Sequence, residues 1–342
     1  MTAPRLIAAG AALVAAAAIA LLVGIPNDSP DRSVPVRVPP TPGDISAYLD
    51  AIGTANRAGL RVWIETDLVQ RWRAGSASFQ QGIDVVAREA RLPGVVGVKI
   101  ADELGYDDGL TSSRDIDGFL DASAAALRAA APGKKILVDM VVPELGCLPG
   151  PSPAEAGPAR CDSSARRAYP QLTLDAVGGY LARHDVDVLD LSTGLLSADT
   201  YASWGVSQGD AQAAAWREVD RRGWGHLVTL QARKALAHPG SDSDPAPEVA
   251  ADLDTFVDVP RQLGAVAVDV WTWRQHYEGA IYRLLDPGLR TNALWDGLVA
   301  RHRAGVRLFT HFSPSSVEVA LGTDLHVLAT AFTDVFVAAG TG

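Results

Sequence analysis

Five carboxylates carry the chemistry that this sequence offers: Glu65, Glu103, Asp139, Asp190 and Asp269. Each falls on the alternate positions of a short β-branched run whose other face is apolar. Successive strand residues point to opposite faces, so an apolar outer set fixes which residues look inward. With Val62 and Ile64 outside, Arg61, Trp63 and Glu65 face in. By the same register Lys99, Ala101 and Glu103 face in, as do Leu137 and Asp139, Val188 and Asp190, and Thr229 and Gln231. Asp269, Trp271 and Trp273 follow, and then Arg307, Phe309 and His311. An unpaired buried charge costs several kcal/mol or changes its protonation. Five acids on one axis therefore need cations, water or a ligand. One solution is an internal ion network, with Arg37, Arg61, Lys99 and Arg307 as counter-charges. The other is a site in which one carboxyl protonates a leaving oxygen, a second attacks or activates water, and the indoles of Trp63, Trp271 and Trp273 stack on sugar rings.

The elements that must position these groups repeat one pattern: an alanine-rich amphipathic helix, a glycine, then a β-branched run. Gly59, Gly94, Gly133, Gly223, Gly264 and Gly305 stand where a helix C-terminus favours a left-handed residue, and His184-Asp185 replaces the glycine at one junction. The pattern predicts strands over 34–38, 60–66, 95–102, 135–142, 186–192, 226–232, 265–273 and 306–312. Helices are predicted near 44–58, 76–90, 114–131, 172–183, 208–222, 249–263 and 289–303. A last helix near 315–337 would start at a Ser315/Glu318 capping box. Eight strands alternating with eight helices predict an α/β fold, a (β/α)8 TIM barrel, with a doubly wound open sheet as runner-up. The long strand-to-helix loops, 143–171, 233–248 and 274–288, then share one face, the face that carries function in this architecture.

The apolar run Leu6–Ile25 is long enough to span a bilayer, so the barrel is expected to follow an N-terminal transmembrane or signal helix. Residues 1–25 are read as the anchor or signal segment, 26–33 as a linker and 34–342 as the barrel domain. The location that follows is the cell membrane with an extracellular domain, or secretion. In that setting Cys147 and Cys161, the chain's two cysteines, are expected to form a disulfide closing a surface loop. The net charge of −10 argues against nucleic acid. The histidines lack His-x-His or His-Glu-x-x-His spacing, so no zinc site and no cofactor is expected; carboxylates alone could hold Mg²⁺ or Ca²⁺.

The segment Ala55-x-x-Ala58-Gly59-Leu60-Arg61-Val62-Trp63-Ile64-Glu65 is similar to the second-strand region of many retaining TIM-barrel glycoside hydrolases. The resemblance implies an acid/base at the end of strand four, often after an asparagine, and a nucleophile at the end of strand seven. Here the Asn-Glu pair is absent; Asp139 and Glu144 stand at the expected fourth strand, Asp269 and Glu278 at or after the seventh. Glu103, Asp139 and Asp269 are the catalytic candidates that follow. Glu65, Trp63, Asp190, Gln231, Trp271, Trp273, Arg274 and His311 are the substrate-binding candidates, with a carbohydrate as partner. Two other readings of the same face are a non-catalytic barrel binding a glycan or envelope partner, and a Mg²⁺- or Ca²⁺-dependent lyase or hydrolase.

Overall fold

The computed structural model describes residues 42–106, 108–148, 156–240, 244–277 and 279–338. Its strands in chain order are β1 Arg61–Glu65, β2 Val95–Lys99, β3 Lys135–Val141, β4 Val188–Ser192, β5 Thr229–Ala235, β6 His238–Pro239, β7 Ala267–Trp271, β8 Arg274–Tyr277, β9 Ala280–Arg283, β10 Leu308–Phe312 and β11 Asp334–Ala338. Eight of them close a parallel barrel in the order β1-β11-β10-β7-β5-β4-β3-β2, with helices between: a TIM barrel. The remaining three form a small antiparallel sheet, β6-β9-β8, built from the long loops on the C-terminal side.

Helices form where the apolar period is 3.6 and a cap is available. Ser76–Ala90 buries Phe79, Ile83, Val86 and Ala90 along one stripe. Ser112 caps Ser113–Ala130 and Thr173 caps Leu174–Leu181, each side chain accepting a backbone N–H. The glycines that close the repeats all have positive φ, and His184, which replaces one, also has a φ of 60°. The helix over 249–263 is broken by a π turn, Asp254–Asp258.

Two expectations about strand count need correction. The expected first strand, 34–38, lies outside the described residues, and the ring closes without it. The barrel starts at β1, preceded by the helix Pro42–Arg57, so each later strand moves up one position and β10 is the seventh. The eighth is β11, in a stretch expected to be helical. Leu321–Leu328 is a helix, but Asp334–Ala338 is extended and bonded to β1 and β10. Leu321, Leu325, Leu328, Phe332 and Val335 fit a helical stripe, whereas Val335 and Val337 also fit one face of a strand. Only the open gap between β10 and β1 decides between them. The capping box belongs to Ser313 and Ser316 of the 3₁₀ turn Pro314–Ser316, rather than to Ser315 and Glu318.

Inside the barrel, period-2 alternation stacks three layers. At the N-terminal end Asp334 is fully buried and receives Arg61 Nη2 at 2.7 Å and Arg307 Nη2 at 2.8 Å. The middle layer is apolar: Trp63, Leu137, Val188, Ala267, Phe309 and Phe336. Gly97 makes room for the Trp63 indole, since a Cβ there would lie 2.4 Å from the ring and 2.5 Å from the Lys135 carbonyl oxygen. Two residues further along the same strands come Glu65, Lys99, Asp139, Asp190, Asp269 and His311. This polar layer is the floor of the C-terminal mouth.

The membrane-anchor expectation rests on residues 6–25, outside the described residues. Among the described residues no helix is long and apolar enough to cross a membrane.

Candidate functional site

The mouth opens into a cavity of about 370 Å³. Its floor is an ion network centred on two cations. Lys99, with no exposed side-chain surface, has its Nζ 2.9 Å from Glu65 Oε1, 2.8 Å from Asp102 Oδ1 and 3.5 Å from Asp139 Oδ2. Arg233 pairs with Asp139 Oδ2. It also lies 3.1 Å from Asp102 Oδ1, 3.6 Å from Glu103 Oε1 and 3.6 Å from Asp269 Oδ2. Burial disfavours the charge on both cations, yet Asp102, with Glu65 beside Lys99 and Glu103 beside Arg233, holds each protonated well above its usual range.

His311 is bracketed by two acids. Its Nδ1 is 2.9 Å from Glu65 Oε2 and its Nε2 is 2.8 Å from Asp269 Oδ2. Burial opposes the imidazolium, but Asp269 and Glu65 outweigh it and raise its pKa above the usual 6.5. The two carboxyls respond in kind. Burial would raise them, and His311, helped by Lys99, instead brings both down to about 2. A doubly hydrogen-bonded imidazolium between two carboxylates is the arrangement these positions enforce.

The expected site residues divide between this mouth and the packing around it. Glu65, Trp271, Arg274 and His311 line the cavity. Asp139, Asp190, Gln231 and Asp269 lie in or beneath the floor, with at most 1% exposure. Glu103 is not on a strand, because β2 ends at Lys99. It occupies a turn with φ 48°, beside Arg233. Trp63 is in the apolar layer, donating its Nε1–H to Asp334 at 3.0 Å, and so is remote from the mouth. Trp273 is buried in the outer core against Trp295, ring centroids 5.7 Å apart. Of the three tryptophans expected to stack on a ligand, Trp271 alone lines the cavity, where it packs against Tyr282 of the small sheet at 5.4 Å. Arg61 and Arg307, expected as counter-charges to the carboxylate ring, serve Asp334 instead.

Cys147 and Cys161 are joined by a disulfide, Cα atoms 5.4 Å apart, in the loop after β3. Buried Glu144 braces that loop, accepting the Leu174 N–H and pairing with Arg166.

Sequence reasoning did not place Asp102 among the site residues, yet it lines the cavity with 56% of its side chain exposed while pairing with Lys99 and Arg233. It also missed Asp67 and the hydroxyls of Ser313, Ser315 and Ser316 as lining groups. A signal for the serines existed, since Ser313-Pro314-Ser315-Ser316 directly follows a strand end in the manner of a cap.

Ca²⁺ takes about six to eight oxygen ligands, and Mg²⁺ one or two carboxylates completed by water or substrate. Among the described residues no three metal-ligating side chains are grouped to hold an ion. Where Glu65, Asp102 and Asp139 converge, the Lys99 ammonium already occupies the place of a cation.

No family model matches the chain, and no curated protein matches it. Solved structures do. A 2,3-dimethylmalate lyase described as a PEP mutase/isocitrate lyase superfamily member is 13% identical, with a TM-score of 0.38 over 87% of this chain and 81% of that one. A putative phosphonomutase from Burkholderia cenocepacia J2315 is 14% identical, TM-score 0.38, over 85% and 92%. The carboxyl transferase domain of Rhizobium etli pyruvate carboxylase is 14% identical, TM-score 0.46, over 85% and 41%. At these values the likeness is one of fold.

None of these three is described as a glycoside hydrolase. The expectation of a glycoside hydrolase acting on a carbohydrate does not hold, and the strand count removes its physical basis. The resemblance called for carboxyls at the ends of strands four and seven, but Asp139 is on the third barrel strand and Asp269 on the sixth. The true fourth and seventh strands end in Ser192 and Phe312. Asp139 and Asp269 are moreover fully buried and ion-paired, which leaves neither free to reach a glycosidic oxygen.

Proposed function

We propose that the mouth binds a small polar molecule with a cationic end and an acidic end, and that Glu65 and His311 exchange a proton with it. The observation that carries this reading is His311, held between Asp269 in the floor and Glu65 in the cavity wall. Among the described residues a proton on Nδ1 has one hydrogen-bonded acceptor, the Glu65 carboxylate, and that residue lines the ligand space. The charge distribution supports the substrate class. On the side of β1 and β2 the cavity lining carries the acids Glu65, Asp67 and Asp102 and, among the described residues, no cation, so acid predominates on that wall. Across the cavity the sign reverses. Arg274 and Arg283 share one acid, Glu318, at 3.5 and 3.7 Å, beside the Ser313, Ser315 and Ser316 hydroxyls. A cavity with opposite charge on its two walls selects a ligand with matching ends.

A second reading, binding without chemistry, is favoured by one observation: carboxyls at about 2 are poor bases near neutral pH. One experiment separates the two. Calorimetry with small amino acids, each beside its amide and its hydroxy-acid analogue, is expected to show the free amino acids binding roughly tenfold or more tighter, a difference of ~1.4 kcal/mol. Solvent deuterium appearing at a carbon of the ligand, followed by NMR and lost in His311→Gln, supports proton exchange. Binding with no deuterium incorporation supports the passive reading. If neither acids nor amides bind, the ligand class is wrong.

A further inference from the structure

Beneath the bracketed histidine lies an acid with no visible partner. Asp190, on β4, is fully buried, and neither of its carboxyl oxygens has a hydrogen-bond donor within reach among the described residues. The groups set against it are Asp139 on β3 and Gln231 on β5, paired with it in register, together with Lys99 on β2, Asp102 beyond it and Asp269 on β7; Arg233 on β5 and His311 on β10 complete the charged groups around the floor. Both cations are committed to other acids. Lys99 serves Glu65, Asp102 and Asp139, and Arg233 serves Asp139, Asp102, Glu103 and Asp269. An ionised Asp190 would be a desolvated anion without a single N–H or O–H directed at it, an arrangement costing several kcal/mol. A carboxylic acid resolves this, because its own O–H becomes a donor where no neighbour directs one, and the orphaned buried Oδ1 of Asp269 in the same layer is the acceptor left open to it. Asp269 Oδ1 is a buried oxygen with no other donor.

We propose that Asp190 is a positioning residue: held neutral, it donates its O–H to Asp269 and thereby sets how tightly His311 keeps its proton. Asp269 Oδ2 is the acceptor for His311 Nε2 at 2.8 Å, so negative charge drawn toward Asp190 is charge withdrawn from the imidazolium. The line Asp190–Asp269–His311–Glu65 then runs from the barrel interior to the cavity wall. Its inner member tunes the proton that its outer member delivers. Burial and the neighbouring Asp269 carboxylate both favour the protonated form of Asp190. No proton leaves Asp190 in this scheme. The Nδ1 proton passes to Glu65, and His311 becomes neutral with hydrogen on Nε2. The inference rests on the proton-exchange reading for its purpose, but not for its test.

The test follows His311 without any ligand. Its imidazole is titrated by nitrogen-15 NMR in the wild type, Asp190→Asn and Asp190→Val. Asparagine keeps a neutral donor to Asp269, so its midpoint is expected to stay within about 0.3 pH unit of wild type. Valine removes the donor, leaves Asp269 its full charge, and is expected to raise the midpoint by roughly 0.5–1 pH unit. If Asp190 is instead ionised, Asp190→Asn deletes a negative charge and lowers the midpoint by about one unit or more, which overturns the proposal. Should the valine variant fail to fold, infrared spectroscopy decides. The wild-type minus Asp190→Asn difference spectrum at neutral pH is expected to contain the carbonyl stretch of a protonated carboxylic acid, shifted in D₂O. A carboxylate band in its place refutes the neutral acid. Loss of ligand proton exchange with these outcomes intact would count against the proposed function alone.

Discussion

Removing the Arg233 guanidinium while keeping an unbranched apolar stem, as in Arg233→Met, tests whether the polar layer depends on that one cation. Arg233 touches four acids, but they do not count equally. Asp102 and Glu103 are 56% and 37% exposed, so water screens them and their loss of a partner costs little. Asp139 and Asp269 are fully buried. Breaking a buried ion pair from one side costs about 3–5 kcal/mol because the remaining charge is stranded. Lys99 stays within 3.5 Å of Asp139, and His311 within 2.8 Å of Asp269. The expected loss is therefore at the lower end, about 3 kcal/mol at pH 7. The pH dependence has a definite sign. Asp269 is held at about 2 in the folded protein, below its ordinary 3.8, so the stability it contributes is present above 3.8 and fades as pH falls toward 2. Without Arg233 the stranded carboxyls take up protons at higher pH, and the gap between variant and wild type should narrow by pH 4.5. Urea unfolding followed by far-UV circular dichroism at the two pH values measures both effects, with Arg233→Lys as a charge-keeping control. A loss below about 1 kcal/mol at pH 7, or a gap that widens in acid, would refute the reasoning.

Glu89, buried on the helix Ser76–Ala90, has its carboxyl pushed up by burial to about 7, with Arg88 opposing weakly. Its neutral form fits the fold below 4.5, and stability is lost as pH rises from there through 7. At ~1.4 kcal/mol per pH unit the fall is roughly 3 kcal/mol by pH 8, and thermal unfolding of Glu89→Gln should lack that component. The disulfide encloses a segment with a sequence separation of 14. Replacing both cysteines with serine should cost about 3 kcal/mol through the freer unfolded chain, measurable by denaturant unfolding; no loss would mean that the 143–171 loop is already fixed by contacts such as those of Glu144.

What the sequence determined by itself was local. Period-2 alternation assigned the inward residues within the strands, because one face of a barrel strand must be apolar against the helices, and failed beyond the strand ends at Glu103 and Trp273. The helix-ending glycines gave the repeat length, since a left-handed backbone demands a residue type visible in the sequence, and His184 could stand in because one such position tolerates a small penalty. Pairing was another matter. Whether 334–338 is the last turns of a helix or a strand depends on an unfilled gap between β10 and β1, a non-local demand that no local pattern records. That single displacement moved Asp139 and Asp269 to strands three and six and overturned the chemistry built on their positions. The tertiary structure likewise decided which cation meets which acid. Lys99 and Arg233 reach the carboxylate layer because they sit on its strands at its height, whereas Arg61 and Arg307 lie two layers lower and meet Asp334. The composition of the polar layer was legible in the chain; its partnerships, which determine whether an acid is a reagent or a strut, required the closed barrel.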